Sequence, residues 1–188
     1  MKKIVLIFLI ILLNQNLSFS QTKSEIDTLL SGISETENSK GITKTEQGKK
    51  IITFGKNSLL TLSDFFTDST VTKVKSECQE RNLTKGEIAI IMADRIERMP
   101  YFTITGIQNC LLTYCENNLN FIEYYLWAIK RDGTDNFKIK YKNWLSSEDR
   151  KEWTSLFDTK RKKEIRKAKR AKRKAKKRTE FRNYKKNK

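Results

Sequence analysis

No histidine occurs anywhere in the chain. Its absence excludes Ser-His-Asp and Cys-His catalysis, histidine-ligated zinc and a histidine pH switch. Proline occurs once, at Pro100, and glycine only seven times. So few turn residues, set among apolar residues at 3.6-residue spacing, predict an all-α body. Long apolar runs are scarce too. After the N-terminal "IVLIFLIILL" no segment is apolar for long enough to cross a bilayer. Cysteine is limited to Cys78, Cys110 and Cys115. Cys110 and Cys115 stand about 140° apart on a helix and do not join while that helix is intact. Two readings stay open: a bridge from Cys78 to Cys110 or Cys115, or three buried reduced thiols acting as small apolar residues. A cysteine nucleophile would lack a histidine partner. Nothing in the residue pattern calls for a cofactor or a metal.

The two ends carry the plainest signals. Met1-Lys2-Lys3 is followed by the apolar stretch Ile4 to Leu13 and then by "SFSQ", with Ser18 and Ser20 at small-residue positions. This is the order of a secretory signal peptide, with cleavage expected between Ser20 and Gln21. Ten apolar residues reach about 15 Å as a helix, half of what a membrane anchor needs. The chain is therefore expected to be exported, periplasmic or secreted. At the other end, eighteen of the 39 Lys and Arg residues, but only three of the 22 acids, fall in 158–188. Residues 21–157 hold equal numbers of both signs, so the net charge of the body is zero and the excess sits on an appended arm. The expected organisation is a signal peptide over 1–20, a helical domain over 21–157 and a polybasic tail over 158–188, irregular or a single extended helix.

The body reads as a series of helices. Ile26, Leu29, Leu30 and Ile33 follow a start near Ser24 at helical spacing. Thr43 with Glu46 opens a second helix that Gly55 ends, and Thr36 to Gly41 reads as a loop. Leu59, Leu62 and Phe66 mark a third helix, and Val71, Val74 and Cys78 a fourth over Val71–Glu80. Thr84 with Glu87 forms a capping box for a fifth, which Pro100 stops. Its expected apolar face is Ile88, Ile91, Met92 and Met99. A sixth helix is expected from Ile104 to Glu116 and a seventh from Leu119 to Lys130, whose Phe121, Tyr124, Tyr125 and Trp127 read as core. "MPYFTITGIQNC" reads as a buried helix–helix connection. "NFKIKYKNWL" fits both periods, and helix is preferred because no partner strand is evident. Ser146 or Ser147 caps a last helix carrying Trp153, Leu156 and Phe157.

The stretch Lys44 to Asp68, "KTEQGKKIITFGKNSLLTLSDFFTD", resembles a HEAT-type helical hairpin. An apolar helix ends in Phe54-Gly55, a short turn follows, and a second helix carries Leu59, Leu60 and Leu62 before Asp68. The resemblance implies a protein-binding scaffold and no chemistry. The fold class is thus all-α, a compact helical bundle or a short HEAT-like αα stack, followed by a basic tail.

Without histidine, paired carboxylates remain a possible route to hydrolysis, as in glycoside or peptidoglycan cleavage. The candidates are Glu77, Glu80, Glu87, Asp94 and Glu97. The preferred reading makes Glu87, Asp94 and Glu97, with Arg95 and Arg98, a solvated helix face of i, i+3 and i, i+4 pairs. Asn82-Leu83-Thr84 is a glycosylation sequon. The candidate anion-binding residues are Lys162, Lys163, Arg166, Lys167, Lys169, Arg170, Lys172, Arg173, Lys174, Lys176, Lys177 and Arg178. Outside the cytosol their ligands would be lipopolysaccharide, anionic lipid, acidic polysaccharide or released nucleic acid. The expected function is non-enzymatic attachment to an anionic surface or polymer. A HEAT-like adaptor for another envelope protein is the alternative, and a carboxylate-dependent hydrolase comes third. No small-molecule substrate is evident.

Overall fold

The structure, a computed structural model, describes residues 22–107, 120–153, 163–174 and 176. The signal-peptide stretch, Cys110, Cys115, most of the expected sixth helix, and Leu156 and Phe157 lie outside the described residues. The fold is all-α apart from one two-stranded hairpin. Helix α1 is Lys23–Ile33, α2 Glu46–Phe54, α3 Leu59–Ser63, α4 Lys85–Ile96 and α5 Tyr101–Thr105. Helices α6 Leu126–Asp132, α7 Thr134–Ser146 and α8 Glu148–Glu152 complete the body. Residues 163–174 form a further helix, α9.

Helix starts follow the capping chemistry. Thr22, not Ser24, caps α1, its hydroxyl accepting from the Glu25 amide at 3.1 Å. Thr45, not Thr43, caps α2 in the same way through Gly48. The expected core face of α1 is buried in full. Gly55 ends α2 at φ +63°, a conformation that suits a residue without a Cβ. The ambiguous "NFKIKYKNWL" is helical within α7, which buries Phe137, Tyr141 and Trp144 and leaves Ile139 exposed.

The expected fourth helix is a strand. Val71–Lys75 forms β1, alternating exposed and buried residues, and pairs antiparallel with β2, Asn82–Thr84. The run Val-Thr-Lys-Val has the β-branching of a strand, but its valines stand three apart as on a helix, and it is Thr72 and Val74 that face inward. Its partner is too short to recognise in sequence. The other edge of β1 is taken up as well, because the Lys73 and Lys75 amides donate to the Ser34 and Glu37 carbonyls. Helix α5 also departs from expectation. It ends at Gly106, φ +72°, so no helix runs through from Ile104. The expected seventh helix opens as a 3-10 turn, Phe121–Tyr125, and Trp127 is 41 % exposed with the Arg131 guanidinium 5.1 Å from its ring.

Helix α4 is the axis of the body. Every residue from Gly86 to Asp94 is buried, and α1, α2, α3 and the Phe121–Tyr125 turn pack around it. A helix buried on all sides is the centre of a layered α fold. Its start is fixed by contact with the chain leaving α3. The Lys85 and Gly86 amides donate to the Thr70 and Asp68 carbonyls. A Cβ on Gly86 would stand 2.6 Å from the Phe66 carbonyl oxygen and 2.8 Å from that of Asp68. Gly86→Ala, which gains about 1 kcal/mol in helix propensity, is therefore expected to lose about 1.5 kcal/mol overall through forced backbone movement. A urea midpoint equal to or above that of the parent protein would show that α4 can slide away from α3.

Candidate functional site

The acids of α4 do not form a solvated face. Glu87, Asp94 and Glu97 are all buried, and each faces a cation. From Gly86 to Asp94 this helix lies in the core, so Glu87 and Asp94 meet protein rather than water, and Glu97, just past its end, is covered by Lys56 and Arg150.

Both oxygens of Glu87 are taken up by Arg81, at 2.5 and 2.8 Å, and one also accepts from the Thr84 amide to close the capping box. The hydrogen bond to Glu87 holds the Arg81 guanidinium above its ordinary pKa. Asp94 accepts from Arg98 at 2.5 Å, from the Met99 amide at 2.9 Å and from the Tyr101 hydroxyl at 3.2 Å. Burial raises its carboxyl above the usual aspartate range, against the pull of Arg98. Burial works in the same direction on Glu97, but Lys56 and Arg150 outweigh it and lower that carboxyl. Glu77 pairs with Lys40 at 2.9 Å, and Glu80 occupies the hairpin turn at φ +50°. All three buried carboxylates are engaged by cations of the body: Glu87 by Arg81, Asp94 by Arg98, and Glu97 by Lys56 and Arg150.

These pairs hold the fold together at the end of α4 from which the C-terminal elements leave. Arg150 of α8 donates from Nε and Nη2 to Glu97, at 3.0 and 2.7 Å, and from Nη1 to the Leu145 carbonyl at 2.9 Å. Its guanidinium also lies 5.6 Å from the Trp144 ring. The Trp153 indole donates to the Arg98 carbonyl at 2.6 Å. The body is thus clamped on residues 150 and 153, just before the basic tail begins.

Sequence reasoning missed Glu123. It is fully buried, and one carboxylate oxygen accepts from the Ser76 hydroxyl at 2.5 Å and the Glu77 amide at 2.9 Å. Its partners lie more than forty residues earlier, so no local spacing announces them. Beside this turn Cys78 is buried and disulfide-bonded. The other half of the bond lies outside the described residues. The open choice between a bridge and three free thiols is therefore settled in favour of a bridge at Cys78. The sequon is structural: the Asn82 side-chain amide donates to the Thr72 carbonyl at 2.8 Å, and Thr84 caps α4.

A cleft of about 320 Å³ opens where α3, β2, α6 and α7 meet. Asp68, Arg81, Glu87, Lys130 and Asp135 line it over Phe66. Charges of both signs share this surface, so it selects neither anions nor cations.

The tail helix is of another kind. Its twelve residues, 163–174, hold eight cations and one acid. All are exposed except Ile165, which is half-buried. Alanine, lysine and arginine favour the helix, while repulsion between like charges at i, i+4 opposes it until an anion is present. Over a length of about 18 Å the cations come about every 2 Å, close to the charge spacing along duplex DNA. The twelve ion pairs among the described residues all lie in the body. None of the eight cations of α9 pairs with a described carboxylate. Lys163, Arg166, Lys167, Lys169, Arg170, Lys172, Arg173 and Lys174 are thus placed together on one exposed rod, with Lys176 continuing it. Lys162, Lys177 and Arg178 lie outside the described residues. No family model, curated protein or solved structure matches this chain.

Proposed function

We propose that this is an exported, non-enzymatic helical protein that attaches to an anionic surface or polymer through its basic tail. One contrast carries the reading. The cations of the body are largely neutralised by body carboxylates, whereas those of α9 have no described carboxylate partner. A rod of closely spaced like charges gains most when a polyanion binds it and releases its counterions. The Cys78 disulfide supports the export part of the reading, since such bonds persist in oxidising compartments. Lipopolysaccharide, anionic lipid, acidic polysaccharide and nucleic acid share the required charge.

Replacing the eight cations of 163–174 with glutamine tests this directly. At low salt the variant is expected to lose at least a hundredfold in retention on phosphatidylglycerol vesicles, a sulfated-polysaccharide resin or immobilised duplex DNA, whichever the parent chain binds. The parent's retention should fall steeply with added salt. Equal retention of parent and variant on all three supports would sink the proposal.

The adaptor reading rests on the Lys44–Asp68 resemblance and on Leu60 within it, which is 58 % exposed. Recovery of one stoichiometric protein partner by the glutamine variant, lost on Leu60→Asp, would favour it. Of the three readings the hydrolase has least support, because Glu87, Asp94 and Glu97 are occupied in holding the fold.

A further inference from the structure

The cations of α9 form one continuous arc, and the kinds of cation are sorted within it. At about 100° per residue, all eight from Lys163 to Lys174 lie within about 110° of the line midway between Arg166 and Arg173. The three arginines share one stripe at the middle of the arc. Arg166, Arg170 and Arg173 fall within about 60° of one another along about 10 Å of axis. The lysines flank them, Lys163, Lys167 and Lys174 on one side and Lys169 and Lys172 on the other. Ala168 and Ala171 occupy the remaining side, with Ile165 at its border. Glu164, the one acid of the helix, lies between the alanines, about 170° from the centre of the arc. The helix thus has an arginine pole and, opposite it, its only negative charge.

That separation suits a ligand that arrives from one direction. Attraction between exposed charges is screened beyond about 8 Å at physiological ionic strength, and a helix is about 10–12 Å across. On a flat anionic surface the arginine pole lies inside that range and Glu164 outside it. A polymer wound round the helix would come within reach of Glu164 on every turn and gain nothing from its placement. The flanking lysines have long flexible stems that reach back toward a flat surface, whereas a DNA duplex curves away from them. The pole itself bears the side chain that pairs bidentately with phosphate. One isoleucine and two alanines are too little apolar mass to draw the helix among acyl chains, so it rests on headgroups.

We infer that α9 lies flat on an anionic phospholipid bilayer, with Arg166, Arg170 and Arg173 against the lipid phosphates and Glu164 turned to solvent. The inference rests on the anionic-surface reading above and selects one ligand from it. The arginines set the orientation of the helix and pair with individual phosphates. The five lysines add attraction to the surface as a whole, which any polyanion would take up.

The full chain would be titrated with phosphatidylglycerol vesicles, a DNA duplex and a sulfated-polysaccharide resin at physiological salt. Two charge-swapped variants keep the net charge of the parent. Glu164→Arg with Arg170→Glu brings the acid into the arginine stripe and is expected to weaken vesicle binding roughly tenfold. Glu164→Lys with Lys172→Glu moves the acid only to the flank and is expected to cost less than about threefold. Both remove Glu164 from the first turn, so any loss of helix from that change is common to them. Arg166→Lys with Arg170→Lys and Arg173→Lys, again at constant charge, should weaken vesicle binding about fivefold through lost bidentate pairing. Equal vesicle binding by the two swapped variants, or no loss with the three lysines, would overturn the inference. Retention on the duplex or the resin with no vesicle binding would overturn it and spare the broader reading. Failure to bind any of the three would remove both.

Discussion

Asp94→Asn will cost the fold about 3 kcal/mol at neutral pH, and Arg98→Met added to it will recover at least half of the loss. The carboxylate is 1 % exposed and the Arg98 side chain 15 %. Asparagine keeps an oxygen for the Met99 amide but turns its own amide donors toward the Arg98 guanidinium and the Tyr101 hydroxyl, which lose this acceptor. Losing one partner of a buried pair costs far more than losing both, because the remaining charge stays desolvated. The turn from α4 into α5 depends on this residue: Asp94 holds Arg98, Met99 and Tyr101 at once. The measurement is urea unfolding of the parent, both singles and the double. A single-variant loss under 1 kcal/mol, or a double worse than the single, would show that the turn is held by packing instead.

Glu97→Gln is expected to cost about 2 kcal/mol at neutral pH, almost all of it through Arg150. The Arg150 side chain is 24 % exposed and donates two hydrogen bonds to this carboxylate, whereas Lys56 is 59 % exposed and its pairing is largely screened. Asp94 and Glu97 sit three residues apart yet carry opposite pH signatures. The carboxyl of Glu97 is lowered in the folded state, so its stabilisation is present above the ordinary value of 4.5 and is lost as the pH falls through the folded pKa. The carboxyl of Asp94 is raised, so its contribution is fullest below the ordinary value of 3.8 and declines as the pH rises through the folded pKa. Between pH 7 and pH 3 the deficit of Glu97→Gln relative to the parent should therefore shrink, and that of Asp94→Asn should not. Parallel deficits across that range would contradict both assignments.

Residue pattern made α1, α2, α4 and α7 legible because each carries its own start signal or apolar period. The Thr84–Glu87 box and the Ile26–Ile33 face need no knowledge of the rest of the chain. The hairpin was hidden because β1 has the composition of either element and β2 is only three residues long. The place of the α4 acids was harder still to read. Charge pairs at i, i+3 and i, i+4 look the same on a solvated helix as on a central one. Only Asp94–Arg98 among them is a local pair; Glu97 finds its cations at Lys56 and Arg150, tens of residues away. The one clue was "GEIAIIMAD", too apolar around its circumference for a surface helix.

By itself the amino-acid sequence determined that the chain is helical, that its body is neutral and that its positive charge is gathered at one end, because propensity, capping and net charge are local or additive. Tertiary structure alone decided which charges are already used. Neutralisation depends on which groups lie within a few ångströms, and the fold brings the body's carboxylates to the body's cations. The same packing occupies Glu87, Asp94 and Glu97 with the body's own cations, and through Glu97 and the Arg98 carbonyl it fixes Arg150 and Trp153, partners that lie too far along the chain for any local spacing to announce.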